Sequence, residues 1–267
     1  MSMRIAVLGG GVMGETLIGG FLRCVTPRPD IVVAEKRPER AEELASRYGV
    51  SIAEPAVAVV GADVVVLVVK PQDMGALLDE VGAALEPGCL AVSIAAGVRT
   101  SFVEDRARPN VNVVRAMPNT PARVDLGVTG ISGGARCSPE ALRLAEQLLE
   151  SVGIVIEVPE SLQDAVTAVS GSGPAYVFFL AEAMTSAAQE LGLDLATATR
   201  MVNQTILGAA TLLETSGEPA EVLRRNVTSP NGTTAAAIDA LEAQSVGAAV
   251  VAAMAAARDR SRALSGD

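Results

Sequence analysis

The sequence predicts an α/β Rossmann-type dinucleotide-binding domain followed by an all-α C-terminal domain. Three observations carry this. The first apolar run ends in Gly9-Gly10-Gly11-Val12-Met13-Gly14. Valine-rich runs then alternate with helical patterns as far as Pro159, the β-α-β-α order of a parallel sheet with helices on both faces. Beyond Pro159 every segment reads as helix and no strand-like run interrupts them. The boundary is therefore placed there, with residues 1–159 as the nucleotide-binding domain and 160–267 as the helical one.

Residues 4–8 are a short apolar run stopped by glycine, as in a buried strand. Residues 31–34 and 63–69 are rich in valine, whose branched side chain suits a pleated surface. Residues 90–95 and 112–116 continue the series, with helical patterns at 39–48 and 73–85 between strands. Later strands are expected at 128–132 and 154–158, flanking a helix at 139–151. Helices are then expected over 160–192, 196–215, 220–225 and 233–264. This half is alanine-rich and short of large side chains, which lets helices approach closely. We read it as packing against another copy of itself, although intramolecular packing would leave the same pattern.

Composition narrows the chemistry. A chain of 267 residues is enough for one large or two small domains. A net charge of −10 argues against nucleic acid or an anionic membrane surface as partner. Aromatics make up 2% and Trp is absent, so no base-stacking platform is expected. There is no histidine, which excludes a Ser-His-Asp triad, a Cys-His pair, a histidine general acid and histidine-containing metal sites. Cys24, Cys89 and Cys137 form no C-x-x-C pair. Neither a zinc site nor a disulfide framework is indicated, and they read as buried thiols in a reducing cytoplasm. The longest strongly apolar run, 246–257, is well short of the roughly 18 residues a span needs. Glu15 interrupts the faint signal-peptide pattern of the N-terminus.

Gly9, Gly11 and Gly14 match G-x-G-x-x-G in its required place, after a strand and opening a helix. Gly9 permits the tight turn, Gly11 lets backbone approach a pyrophosphate, and Gly14 lets helix pack on strand. Val12 and Met13 lie at the start of that helix. Glu35 follows about 20 residues on, where an acid normally holds a ribose 2′-hydroxyl and favours NAD. Lys36 and Arg37 come next and could hold a 2′-phosphate, favouring NADP, or could be solvated helix-start charges. Val68 and Lys70 lie at the carboxyl end of the 63–69 strand, the edge where ligands of open sheets gather. A salt bridge is the competing reading for Lys70. Ala95 and Gly97 end the next strand, with small residues where a nicotinamide could lie against backbone.

Residues 227–234 read Val-Thr-Ser-Pro-Asn-Gly-Thr-Thr, a turn running into a helix. The first N–H groups of a helix lack internal partners and its dipole makes that end positive. Gly232 removes the side chain that would block a ligand, and Ser229, Thr233 and Thr234 add hydroxyls. The segment suits a carboxylate or phosphate; the alternative is that Thr233 or Thr234 merely caps the helix. Ser170-Gly171-Ser172-Gly173-Pro174 lies inside a helical pattern. It marks a kink or close packing, or else frees backbone groups toward an active site.

Several motifs together resemble the pyrroline-5-carboxylate reductase family. They are the glycine loop, Val-Lys-Pro-Gln at 69–72, Arg-Ala-Met-Pro-Asn-Thr-Pro-Ala at 115–122, Ala-Val-Ser-Gly-Ser-Gly-Pro-Ala-Tyr at 168–176, and the 227–234 segment. The resemblance spans essentially the whole chain. It implies a Rossmann domain, a helical domain that interleaves with its partner in a dimer, and dimers assembled into a larger homo-oligomer. It further implies reduction of 1-pyrroline-5-carboxylate to L-proline, the last step of proline biosynthesis, by hydride from NADPH or NADH, with NADPH preferred. Ser229, Gly232, Thr233 and Thr234 would hold the substrate carboxylate, Thr234 would also act catalytically near the imine nitrogen, and Asn119 would lie near the nicotinamide. Asn231 stands where the family usually has glycine. The missing histidine agrees with this chemistry, because a cyclic iminium is already electrophilic and the protein mainly supplies positioning and an electrostatic cradle. One rival is a 3-hydroxyacid dehydrogenase of the 6-phosphogluconate type, which needs a lysine in the helical domain; no lysine follows Lys70. Another is a non-catalytic NADP-binding sensor, against which the polar cluster at 229–234 argues.

Overall fold

The computed structural model describes residues 2–264. Eight strands form one sheet: β1 (Arg4–Leu8), β2 (Asp30–Ala34), β3 (Ser51–Ile52), β4 (Val64–Leu67), β5 (Leu90–Ser93), β6 (Asn112–Met117), β7 (Gly127–Gly133) and β8 (Gly153–Glu157). Their order is β3-β2-β1-β4-β5-β6-β7-β8. The chain moves outward from β1 in one direction through β2 and β3, then in the other from β4. The crevice at the carboxyl ends of β1 and β4 is thus the switch point where ligands of such sheets bind.

The sheet is not parallel throughout, as the sequence suggested. β7 runs antiparallel to β6. Only a short 3₁₀ turn, Thr120–Val124, lies between those strands, and a parallel return needs a crossover of about a dozen residues or more. β8 returns parallel to β7, because helix α6 (Pro139–Leu149) supplies the crossover. Ser138 caps that helix, accepting the Ala141 N–H at 3.1 Å, and Pro139 occupies its first position. The short elements β3, α3 (Pro55–Ala58) and α5 (Thr100–Glu104) carry too few residues to show a period in the sequence.

Strand alternation divides the apolar side chains between two faces. Val7, Val33, Val66, Val92 and Val114 pack on one face beneath α1 (Val12–Cys24) and α6. Leu8, Val32, Val65, Leu67 and Ala91 face the other way, toward α4 (Met74–Val81). The helix α2 (Pro38–Tyr48) begins with proline at its first position and ends at Gly49, whose φ of 67° is a left-handed cap.

The expected helix at 160–192 is broken. A 3₁₀ turn, Glu160–Leu162, leads to α7 (Gln163–Val166), then a π turn, Thr167–Gly171, and only then α8 (Gly173–Glu190). The Ser172 N–H reaches back five residues to the Thr167 carbonyl, at 2.8 Å. Further helices are α9 (Leu195–Ser216), α10 (Ala220–Asn226), α11 (Thr233–Ala243) and α12 (Val246–Leu264). The expected continuous helix at 233–264 bends by 52° between α11 and α12, where Ser245 takes a φ of 57°. No single helix among the described residues is long and apolar enough to cross a membrane; α11 and α12 reach that measure only as a bent pair.

The chain separates into two compact units, one of residues up to Ser172 with the segment from Ala257, the other Gly173–Ala256. The sequence-based division at 159/160 follows composition, whereas this one follows contacts. Within the second unit Asp194 caps α9, accepting the Thr197 N–H at 3.0 Å. Ala198 and Val202 are its buried apolar side chains, while Phe178, Phe179, Leu180 and Leu207 are each more than half exposed. A helical unit so short of an interior of its own presents apolar area fit for another subunit.

Of the three thiols, Cys89 is buried, Cys137 is half-buried and Cys24 is exposed. The expectation of burial fails for Cys24 because it is the last residue of α1, where the helix leaves the sheet. Burial, with the charges of Asp63 and Glu86, pushes the Cys89 thiol up to about 12.

Candidate active site

The glycine loop has the geometry of a dinucleotide cradle. Gly9 has a φ of 120°, and a side chain there would meet the Val68 carbonyl at 2.4 Å. A Cβ on Gly14 would sit 2.1 Å from the Gly9 carbonyl, so glycine is required for α1 to lie against the strand end. Nothing lies within 4 Å of the corresponding point on Gly11. Gly11 is the N-cap of α1 and offers no side-chain cap, so the N–H groups of Val12 and Met13, in the first turn, have no intrahelical partner. These are the conditions for a pyrophosphate, and the loop fits a dinucleotide. The Met13 side chain is partly packed on the core, leaving its N–H as the group it can offer. Val12 is exposed.

Gly10, a variable position of the motif, is held on both sides. Its N–H donates to Glu35 Oε2 at 3.0 Å, and its carbonyl accepts from Arg40 Nε at 2.9 Å. Glu35 also accepts from the Arg37 backbone N–H at 3.0 Å and from its guanidinium at 3.0 and 3.3 Å. Burial pushes the Glu35 carboxyl up, but these hydrogen bonds outweigh it and hold the group below the ordinary carboxylate range. Glu35 is 8% exposed and Arg37 63%; Lys36 is exposed beside them.

Behind the loop, Glu15 pairs with Arg40, with Arg47 at 2.6 Å and with the Tyr48 hydroxyl at 3.0 Å. Burial raises its carboxyl, and the bonds from Arg40, Tyr48 and Arg47 lower it further than burial raises it. The sequence reading missed Gly10, Arg40, Arg47 and Tyr48. The signal available was the spacing of Arg40, Glu43 and Arg47 along one face of α2, which the structure joins by ion pairs.

Lys70 is exposed at the end of the β4 edge. Every ion pair among the described residues is made by an arginine, and its ammonium enters none of them. Ala95 is buried and Gly97 has a φ of 76°, so the chain after β5 turns tightly with little side chain in the way. Asn119 is buried. Its amide is committed to backbone: Nδ2 donates to the Ser170 carbonyl at 3.1 Å and Oδ1 accepts the Val128 N–H at 2.9 Å.

In the second unit, Ser229 to Gly232 form a turn closed by the Gly232 N–H on the Ser229 carbonyl at 3.0 Å. Asn231 takes a φ of 60°, a left-handed geometry asparagine tolerates. A Cβ on Gly232 would meet Ser229 Oγ at 2.5 Å, so glycine allows that hydroxyl to stand at the mouth of α11. The N-cap is Gly232 and carries no side-chain cap. Thr233 and Thr234 are the first two helical residues, not caps; Ser229 and Thr233 are exposed and Thr234 half-buried. Uncapped N–H groups with adjacent hydroxyls suit a small carboxylate.

A family model described as pyrroline-5-carboxylate reductase dimerisation matches residues 160–264, and one described as NADP oxidoreductase, coenzyme F420-dependent, matches 4–97. A pyrroline-5-carboxylate reductase of Pseudomonas aeruginosa is 46% identical over 261 residues, 97% of this chain and 95% of that protein. The structure of a pyrroline-5-carboxylate reductase from Coxiella burnetii matches with a TM-score of 0.93 at 35% identity, covering 99% of each chain. A Plasmodium falciparum pyrroline carboxylate reductase, solved with NADP bound, matches with a TM-score of 0.87 at 26% identity over 98% of each.

Proposed function

The chain belongs to the pyrroline-5-carboxylate reductase family, and from that premise we infer how its residues divide the work. It is an NAD(P)H-dependent oxidoreductase that reduces 1-pyrroline-5-carboxylate to L-proline in proline biosynthesis. NADP is the supported cofactor; our finer reading is that NADPH is preferred and NADH accepted.

The observation that carries the substrate assignment is the uncapped start of α11, with Ser229, Thr233 and Thr234 around it. There the N–H groups and hydroxyls hold the ring carboxylate. Thr234 lies one residue inside the helix, and its hydroxyl serves the imine nitrogen as donor. The remaining proton need is small: the Thr234 hydroxyl donates to the nitrogen of the neutral imine, and the single proton that accompanies the hydride comes from that hydroxyl, itself reprotonated by solution, or from solution directly. No histidine is required, and the chain has none.

In the first unit, Gly11 and the N–H groups of Val12 and Met13 hold the pyrophosphate, with Gly9, Gly14 and Val68 shaping the turn. Lys36 and Arg37 receive the 2′-phosphate. Glu35 is already satisfied by Gly10 and Arg37, which lessens its capacity for a ribose hydroxyl and supports the NADPH preference. Lys70, Ala95, Gly97 and Asn119 border the nicotinamide half. Bound reduced nicotinamide supplies the hydride, and the residues above orient and electrostatically frame its acceptor.

The chain forms homo-oligomers. We assign dimerisation to residues 160–267 and nucleotide binding to 1–159, and propose that dimers build a larger assembly in the cytoplasm, with no nucleic acid or membrane partner. The test is loss of the reduced-nicotinamide absorbance when purified protein receives pyrroline-5-carboxylate, with NADPH and NADH assayed separately. Turnover with NADPH exceeding that with NADH is expected; no turnover with either removes the assignment.

A further inference from the structure

Helix α5 is capped from a distant part of the chain. Arg99 precedes it and provides no side-chain cap. Glu160, 60 residues further on, does so: Oε1 accepts the Thr100 N–H at 2.7 Å and Oε2 the Thr100 hydroxyl at 2.8 Å. Thr100 is 4% exposed, so its N–H needs a protein partner. The same carboxylate lies 3.6 Å from Nη1 of Arg115, whose side chain is 6% exposed. Among the described residues no other carboxylate pairs with that guanidinium. Buried charges are costly unless paired, so the buried Arg115 holds the Glu160 carboxylate, itself 29% exposed, in place.

Two consequences follow from where these residues lie. Thr100 ends the turn that contains Ala95 and Gly97. Glu160 is the first residue of the stretch matched by the dimerisation family, directly after β8. One carboxylate therefore ties the start of the helical region, a buried arginine of β6 and the turn after β5. Gln163 adds a second tie close by, donating to Ser132 Oγ at 2.9 Å and to the Gly130 carbonyl at 3.2 Å.

We propose that Glu160 is a positioning residue for the nicotinamide half of the cofactor: it holds the 95–99 turn through Thr100, with Arg115 fixing its carboxylate. This rests on the reading above that the turn borders the nicotinamide. Glu160 touches neither cofactor nor substrate in this role. Glu160→Gln removes the charge facing Arg115 while keeping the side-chain size. Binding is measured by calorimetry for NADPH and for 2′-phospho-ADP-ribose, which is the same molecule without its nicotinamide. The expected result is NADPH binding weakened about 5- to 20-fold, with the fragment unchanged within twofold. Equal weakening of both, or no change in either, overturns the proposal, since a general loss of structure would not discriminate between the two ligands. Should Glu160→Gln fail to fold, Thr100→Val removes one contact only and must give the same split at smaller size; unchanged NADPH binding in it overturns the proposal equally. These measurements need no substrate. A wild-type protein that binds NADPH yet does not reduce pyrroline-5-carboxylate would defeat the functional reading and leave this one standing.

Discussion

Asn119 supplies the hydrogen bond that Pro174 cannot make. In a continuous helix the carbonyl of Ser170 would accept the N–H of residue 174, but proline has none. Asn119 Nδ2 donates to that carbonyl instead, and its Oδ1 takes the Val128 N–H. The break in the helical pattern is thus a defined π turn with its half-buried Ser170 carbonyl satisfied. Asn119→Ala would leave a half-buried carbonyl and a half-buried backbone N–H without their protein partner, for a loss of about 1–3 kcal/mol. Denaturant unfolding checks this; a change under about 0.5 kcal/mol would mean water replaces both bonds. Asn119→Asp keeps the acceptor and loses the donor, and an intermediate loss is expected.

That relationship marks the limit of what the chain discloses before folding. Pro174 and its neighbouring glycines signalled a break, because proline's missing N–H is a local property. The partner that repairs it lies 51 residues away in sequence and belongs to a motif that suggested the nicotinamide instead. The turn at Gly9 and the close packing at Gly14 were legible for the same local reason: each is a matter of backbone angle or absent Cβ. For Arg40 and Arg47 the sequence offered only their spacing with Glu43, and for Tyr48 nothing, since Glu15 is what gathers all three and it lies on another helix. Antiparallel β7 was hidden because alternating runs of strand and helix say nothing of direction until the connection lengths are measured.

Thr234→Ala should lower kcat about 10- to 100-fold, the loss of one positioned donor. Thr234→Ser restores the hydroxyl and most of the rate. Unchanged kcat in the alanine variant would take Thr234 out of the reaction and leave it a substrate-binding residue at most.

Gly232→Ala places a methyl where Ser229 Oγ stands, at 2.5 Å. The hydroxyl must move, so KM for pyrroline-5-carboxylate should rise about tenfold, the worth of one hydrogen bond to a charged group, with cofactor affinity unaffected. Steady-state kinetics with each ligand varied separates the two. Asn231→Gly, by contrast, suits the φ of 60° and should leave KM within about twofold, costing at most about 1 kcal/mol through the unfolded chain.

Stability should be insensitive to pH from about 5.5 to 8, because no histidine titrates there. Glu15 and Glu35 are held below their ordinary range. A depressed carboxyl contributes stability in full above its unfolded value, about 4.3, and loses it as pH falls through the folded value. Denaturant midpoints should therefore hold level down to about pH 5 and decline below it. Glu15→Gln should lower the plateau and flatten the decline. A decline that begins near pH 6.5 would implicate some other group.

The proposed NADPH preference is tested at Arg37, which is tied to Glu35 yet 63% exposed. If its guanidinium receives the 2′-phosphate, Arg37→Ala removes a charge-assisted hydrogen bond of about 1.5–3 kcal/mol, or about 10- to 100-fold in Kd. The loss should fall on NADPH alone. Removing the Arg37 guanidinium also relieves Glu35 of its side-chain partners; the carboxylate keeps the Gly10 N–H and the backbone N–H of residue 37 and regains some capacity for a ribose hydroxyl. NADH binding should hold or tighten, so the ratio of the two dissociation constants is the readout. Equal weakening of both cofactors would place Arg37 in support of the glycine loop and return the 2′-phosphate to Lys36.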